Sequence, residues 1–290
     1  MTLEGKWGWI NPYALPDEIT YKNRLLDTDG MILRYGYPRY EQLALEMGRP
    51  WLAEVYPYET NPDYFAELLA KQAKQPGCVG AVANFEYGSE RAVAHWDRDD
   101  GSLTHRFCNV FEQHAPGVPL YACIDTRRYH VTQPFARALA LRAHGVMPMM
   151  YPKQFGQSSS SALAAVMAAD FQALWRGKET IVVIQTFEDI GPALVRDQLD
   201  VISKFTQHQA VSAYTLGHAT KPEWQAFASH PAFEDAMPDK PAYEALAVSE
   251  ALLKLRLQWY EGITKLALDG NPGELAAFAA HWQQLEAGGR

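Results

Sequence analysis

Eight short runs of β-forming, mostly apolar residues recur along this chain, separated by stretches with helical periodicity. They read KWGWINP, GMILRYGYP, PWLAEVYPY, CVGAVANFEYG, PLYACIDTR, GVMPMMYP, TIVVIQTFED and AVSAYTLGHA. Several are apolar almost throughout, as in strands of parallel sheets buried on both faces. The stretches between them carry helix signals. NPDYFAELLAKQAKQPG opens on Asn-Pro, a cap followed by a first-turn proline, and closes on Gly77. GPALVRDQLDVISKFTQHQ repeats apolar residues at Leu194, Leu199, Ile202 and Phe205, close to helical spacing. Eight strand–helix repeats in about 220 residues predict an α/β fold, a (β/α)8 TIM barrel. A doubly wound open sheet would carry a Gly-rich phosphate turn after its first strand, whereas NPYALPDE follows here.

The repeat is irregular in two places. Between the fourth and fifth runs a polar insert, HWDRDDGSLTH, precedes the expected helix RFCNVFEQHAPG. After the eighth run the chain continues through a proline-rich lead-in and further helical pattern. The expected layout is a barrel over residues 1–245 and a C-terminal helical extension over 246–290, which either packs on the barrel or mediates self-association. No oligomeric state is read from it.

With a net charge of −8 and no basic run, the chain is not built to meet a phosphate backbone, so nucleic acid is not expected as a partner. Cys78, Cys108 and Cys123 share no close spacing and read as buried free thiols. No metal-ligand spacing is present, and neither a metal nor a cofactor is expected. No apolar run approaches the ~20 residues of a membrane helix, and MTLEGKWGWINPY lacks a signal layout. The expectation is a soluble protein made in the cytoplasm; delivery by phage or lysis would leave no sequence trace.

In a barrel of this type the site lies at the C-terminal ends of the strands. Those ends offer Trp9, then Arg34 and Tyr35, then Glu54, Tyr56 and Tyr58, then Asn84 and Glu86, then Asp125 and Arg127. They continue with Tyr151 and Lys153, Gln185 and Glu188, and Tyr214 and His218. Carboxylates among aromatic rings suit glycoside cleavage, which needs an acid for the leaving oxygen and a group that stabilises positive charge at the anomeric carbon. Strand alternation turns Asn84 and Glu86 to one face and Phe85 to the other. Small neighbours at Gly80, Ala81 and Ala83 are expected to leave space near the barrel axis.

Each candidate also has a plain structural role. Asp125 either binds a sugar hydroxyl or pairs with Arg127 or Arg128. Glu188 is either a nucleophile or a cap for the following helix. Trp9, Tyr35, Tyr56 and Tyr58 are either stacking platforms or residues of the core or the exposed rim, and His218 either lines the site or is structural or on the surface. Gln185 and Glu54 are taken as substrate-binding.

The stretch VGAVANFEYG resembles the strand-four signature of family 18 glycoside hydrolases, the chitinases and related endo-β-N-acetylglucosaminidases. Their pattern, Asp-x-x-Asp-x-Asp-x-Glu followed by Tyr, lays its Glu on Glu86 and the Tyr on Tyr87. The last Asp falls on Asn84 and the earlier two on Val79 and Val82. An Asn two before the Glu is similar to family 85 endo-β-N-acetylglucosaminidases. Met149-Met150-Tyr151 is similar to the Met-x-Tyr of family 18 strand six. The resemblance implies substrate-assisted cleavage of an N-acetylhexosamine-containing glycan. Glu86 would be acid and base, while Asn84 and Tyr151 would hold the acetamide. Two alternatives stand beside it. One is a retaining glycosidase using Glu86 and Glu188; the other is a catalytically silent barrel that binds glycan or serves as a phage-associated module.

Overall fold

The computed structural model describes residues 3–10, 16–57, 61–85, 100–171, 177–205 and 210–231. Its first four strands are β1 (Gly5–Ile10), β2 (Gly30–Arg34), β3 (Trp51–Val55) and β4 (Cys78–Phe85). The rest are β5 (Leu120–Asp125), β6 (Gly145–Met150), β7 (Glu179–Gln185) and β8 (Ala210–Tyr214). All are parallel, and they close in sequence order into an eight-stranded barrel, β8 pairing back onto β1. The helices are α1 (Glu18–Leu26), α2 (Pro38–Glu46), α3 (Pro62–Ala73), α4 (Ser102–His114) and α5 (Arg128–Val131). They continue with α6 (Pro134–Arg142), α7 (Ser159–Phe171), α8 (Pro192–Phe205) and α9 (Lys221–Ala228). The fold is the (β/α)8 TIM barrel expected from the repeat. The chain divides into two units, Met1–Asp235 and Ala236–Arg290. All of the second, with the expected C-terminal helices, lies outside the described residues.

Local sequence explains the helix starts. Asn61 accepts a hydrogen bond from the Tyr64 amide, and Pro62 follows it in the first turn of α3. Thr220 and Glu223 form a reciprocal capping box at the start of α9. One start differs from expectation: α4 begins at Ser102, inside the polar insert. Gly101 adopts a left-handed φ of 95° and the Asp100 side chain takes the Ser102 amide, so SLTH forms the first helical turn.

Strand alternation divides the core into two layers. Outward residues such as Leu33, Ala83, Phe85 and Ile184 pack against helices. Phe85 meets Phe107 of α4 at 5.4 Å and Phe135 of α6 at 6.4 Å. Inward residues such as Trp7, Ile32, Leu52, Val82, Met147 and Val183 fill the barrel. Glycines make room for the largest of them. A Cβ at Gly30 would lie 2.4 Å from the Trp7 ring, and one at Gly145 would lie 2.7 Å from the Tyr121 ring. Space was expected beside Gly80, Ala81 and Ala83. Instead Ala81 and Ala83 face the helices, and a Cβ at Gly80 would sit 3.0 Å from Leu52. The lower barrel is therefore packed solid, which leaves its C-terminal mouth as the place for a site.

Among the described residues, no helix is long and apolar enough to cross a membrane.

Candidate active site

The mouth has a charged side built by β2, β3 and β4. Arg34 and Glu54 are register partners on adjacent strands and form a two-pronged ion pair. Arg34 Nε lies 2.9 Å from Glu54 Oε2 and its second nitrogen 3.0 Å from Oε1. Glu54 is fully buried, so a carboxylate there depends on this pairing. Asn84 donates Nδ2 to the same Oε1 at 3.2 Å. The Arg34 guanidinium lies over the Tyr56 ring at 4.9 Å, a cation–π contact.

The other side is aromatic and comes from β6, β7, β8 and β1. Tyr151 stacks on Tyr214, centroids 5.9 Å apart, and Phe187 stands edge-on to both. Phe155, in the loop after β6, lies 5.6 Å from Tyr151. Trp9 packs edge-on against Tyr214 at 5.3 Å and is 1% exposed, so Tyr214 is the more accessible ring of that pair.

Between the two sides stands β5. Asp125 binds Arg127 through Nη2 at 2.5 Å and Nε at 3.0 Å, and also takes the Arg127 amide. Arg127 in turn lies over the Phe155 ring at 4.5 Å. His130, the other neighbour of Asp125, is 3.6 Å away. Burial holds its pKa below the ordinary value; Asp125 opposes this and Arg127 adds to it.

Two neighbouring polar residues brace loops. Gln185 is fully buried; its Oε1 accepts the amides of Lys153 and Gln154, and its Nε2 reaches Glu188 at 3.4 Å. Glu188 is exposed and adopts a left-handed φ of 66°. The amide just before α8, on Gly191, binds Glu223 of α9 at 2.7 Å.

Among the described residues, no three His, Cys, Asp or Glu side chains are grouped to hold a metal ion.

The remaining expected residues are scattered. Tyr35 packs against the outer, helix-facing layer, which Tyr56, beneath Arg34 at the mouth, also touches. His218 is exposed in the loop after β8, which Arg24 of α1 ties down by donating to the carbonyls of Leu216 and Ala219. Glu86, Tyr58 and Tyr87 lie outside the described residues.

The same barrel occurs in solved glycoside hydrolases. A chitinase from Chromobacterium violaceum superposes with a TM-score of 0.59 at 11% identity, over 77% of this chain and 98% of that one. GH5_18 from Streptomyces cattleya, solved in complex with GlcNAc, gives 0.55 at 13%, over 75% and 76%. The spore cortex-lytic enzyme SleL of Bacillus cereus gives 0.57 at 7%, over 78% and 74%. At these identities the likeness establishes the fold. No protein-family model matches the chain. No curated protein matches it significantly.

Two mouth aromatics escaped the sequence reading, Phe155 and Phe187. Phe187 follows inward Gln185 by two, so carrying the alternation one step past the strand end finds it. Phe155 lies in a loop and has no such signal.

Proposed function

We propose that the protein is a glycoside hydrolase that cleaves an N-acetylhexosamine-containing glycan with the help of the sugar's own acetamide. The placement of Asn84 carries this. It is the last inward residue of described β4, two before Glu86, and it sits across the barrel from β8 and its Tyr214. The names of the structural neighbours, a chitinase and an enzyme bound to GlcNAc, add support.

Glu86 protonates the glycosidic oxygen as the acetamide oxygen attacks the anomeric carbon and the C–O bond breaks. The product is a cyclic oxazolinium. Asn84 Oδ1 accepts the acetamide N–H, and the Tyr151 hydroxyl donates to the acetamide oxygen. Phe187 and Tyr214 offer ring faces to the sugar. The Glu86 carboxylate then takes a proton from water, which attacks the anomeric carbon and reopens the ring.

One observation favours a second reading, a catalytically silent glycan-binding barrel. Val82, one inward step before Asn84, is fully buried where family 18 carries an aspartate. A hydrolysis screen on N-acetylglucosaminides, peptidoglycan and plain β-glycans separates the two. Wild type turns over the first class, and Glu86→Gln abolishes turnover while keeping glycan affinity. Absence of turnover on every substrate with retained binding supports the silent barrel. The two-carboxylate route requires that Glu188→Gln be as damaging as Glu86→Gln.

A further inference from the structure

Both Glu54 oxygens engage protein groups, Arg34 through two contacts and Asn84 through one, so it does not itself grip a sugar. We propose that Glu54, charge-balanced by Arg34, is a positioning residue that fixes which end of the Asn84 amide faces the substrate. The inference rests on the acetamide role given to Asn84 above.

An ionised carboxylate offers only acceptors. The branch of Asn84 that faces Glu54 must therefore be Nδ2, and the observed 3.2 Å contact has that sense. Oδ1, on the other branch of the planar amide, is turned away from Glu54. A carbonyl oxygen so held accepts an acetamide N–H; a flipped amide would set donor against donor. Flipping would also place Oδ1 against a buried carboxylate oxygen, which is repulsive in a medium that screens poorly. Arg34 holds the carboxylate in a bidentate grip, a geometry that resists rotation better than a single contact.

The same contact accounts for the departure from the family 18 pattern at this position. An aspartate at 84 would set two carboxylates against each other at this distance, and like charges so placed cannot both be ionised cheaply. With Glu54 on β3, an amide at 84 is the group that fits.

The test is a rescue cycle on the full chain, read by turnover of an N-acetylglucosaminide and by the side-chain amide NMR signal of Asn84. Glu54→Gln and Asn84→Asp are each expected to lower kcat about ten- to a hundredfold with little change in KM. Combined, they swap amide and carboxylate across the contact, and activity recovers above either single variant. A combined loss equal to the product of the single losses overturns the proposal. Glu54→Gln leaves the partly buried Arg34 without its carboxylate and is liable to misfold, so the unsubstituted protein supplies a second measurement. One Asn84 Nδ2 proton should resonate downfield, as expected of a hydrogen bond to a carboxylate. Both Nδ2 protons at ordinary amide positions would overturn the proposal in the absence of any variant. If the unsubstituted protein turns over no N-acetylglucosaminide, the acetamide role falls, and the Asn84 signal still decides whether Glu54 positions it.

Discussion

Tyr151 and Tyr214 stack at 5.9 Å with an interplanar angle of 28°, although their strands are not neighbours in the barrel. β7 runs between those strands, and its Phe187 stands edge-on to both rings, at 5.2 and 5.7 Å. Three strands thus share one aromatic surface at the mouth, across from the strands that carry Glu54 and Asn84. A pyranose has apolar faces and polar edges, and a mouth with one aromatic and one polar side suits both.

Phe187→Ala tests that surface. It removes two edge contacts, so urea denaturation should show a loss of roughly 1–3 kcal/mol, at 0.5–1.5 for each pair. Titration calorimetry with an N-acetylglucosamine trimer should show weaker binding, and Phe187→Tyr should restore it. Unchanged affinity in a folded Phe187→Ala variant would place the sugar elsewhere.

Glu223 ties the start of α8 to the start of α9. It is 1% exposed and accepts from the Gly191 amide at 2.7 Å and from the Thr220 amide and hydroxyl at 2.7 and 2.8 Å. Glu223→Ala leaves two backbone donors without their carboxylate and should cost roughly 2–4 kcal/mol in urea denaturation. Activity per folded molecule should stay at the wild-type level.

The thiols should be inert in the folded protein. Burial pushes the Cys78 thiol up to about 11 and that of Cys108 up to about 12, and Cys123 is fully buried inside the barrel. Thiolate is the reactive form. Labelling with a disulfide reagent at about pH 8 should be slow until denaturant is added, after which all three react. Rapid native labelling at Cys78 would contradict this.

His130 gives a pH dependence with a definite sign. Its folded pKa lies below the ordinary 6.5, so the unfolded chain binds its proton more readily. The resulting stability is fully present above 6.5 and is lost as pH falls through the folded pKa. Between about pH 7 and 5.5 the melting temperature should fall, and His130→Gln should flatten that fall. A steeper fall in the variant would mean that pairing with Asp125 outweighs burial.

All eight strands were legible because strands buried on both faces are almost continuously apolar and need no partner to be recognised. The start of α4 was not, since Ser102–His105 carries one apolar residue, Leu103, among polar ones and its helical form depends on the Asp100 and Gly101 turn before it. Alternation set Asn84 on the face opposite Phe85, and the packing of Phe85 against the helices shows that face to be the inner one. The role of Glu54 was hidden, because a strand-end carboxylate reads the same whether it meets a sugar or an arginine. The register that sets Arg34 beside it appears only when β2 and β3 pair. The pairing of Asp125 with Arg127 was an open alternative, and their spacing of two let it form locally. That Glu223 of α9 takes the Gly191 amide just before α8 was not legible, because the two residues lie 32 positions apart.

The central claim, that the sugar's acetamide takes part in the reaction, is tested most directly by comparing two substrates that differ at one carbon. kcat/KM should be measured for a β-N-acetylglucosaminide and for the matching β-glucoside, which carries a hydroxyl in place of the acetamide. With Asn84 and Tyr151 holding the acetamide, the first should exceed the second by at least about 10³-fold, since a site built to pair with a polar group rejects the analogue lacking it. Equal turnover of the two would contradict the account.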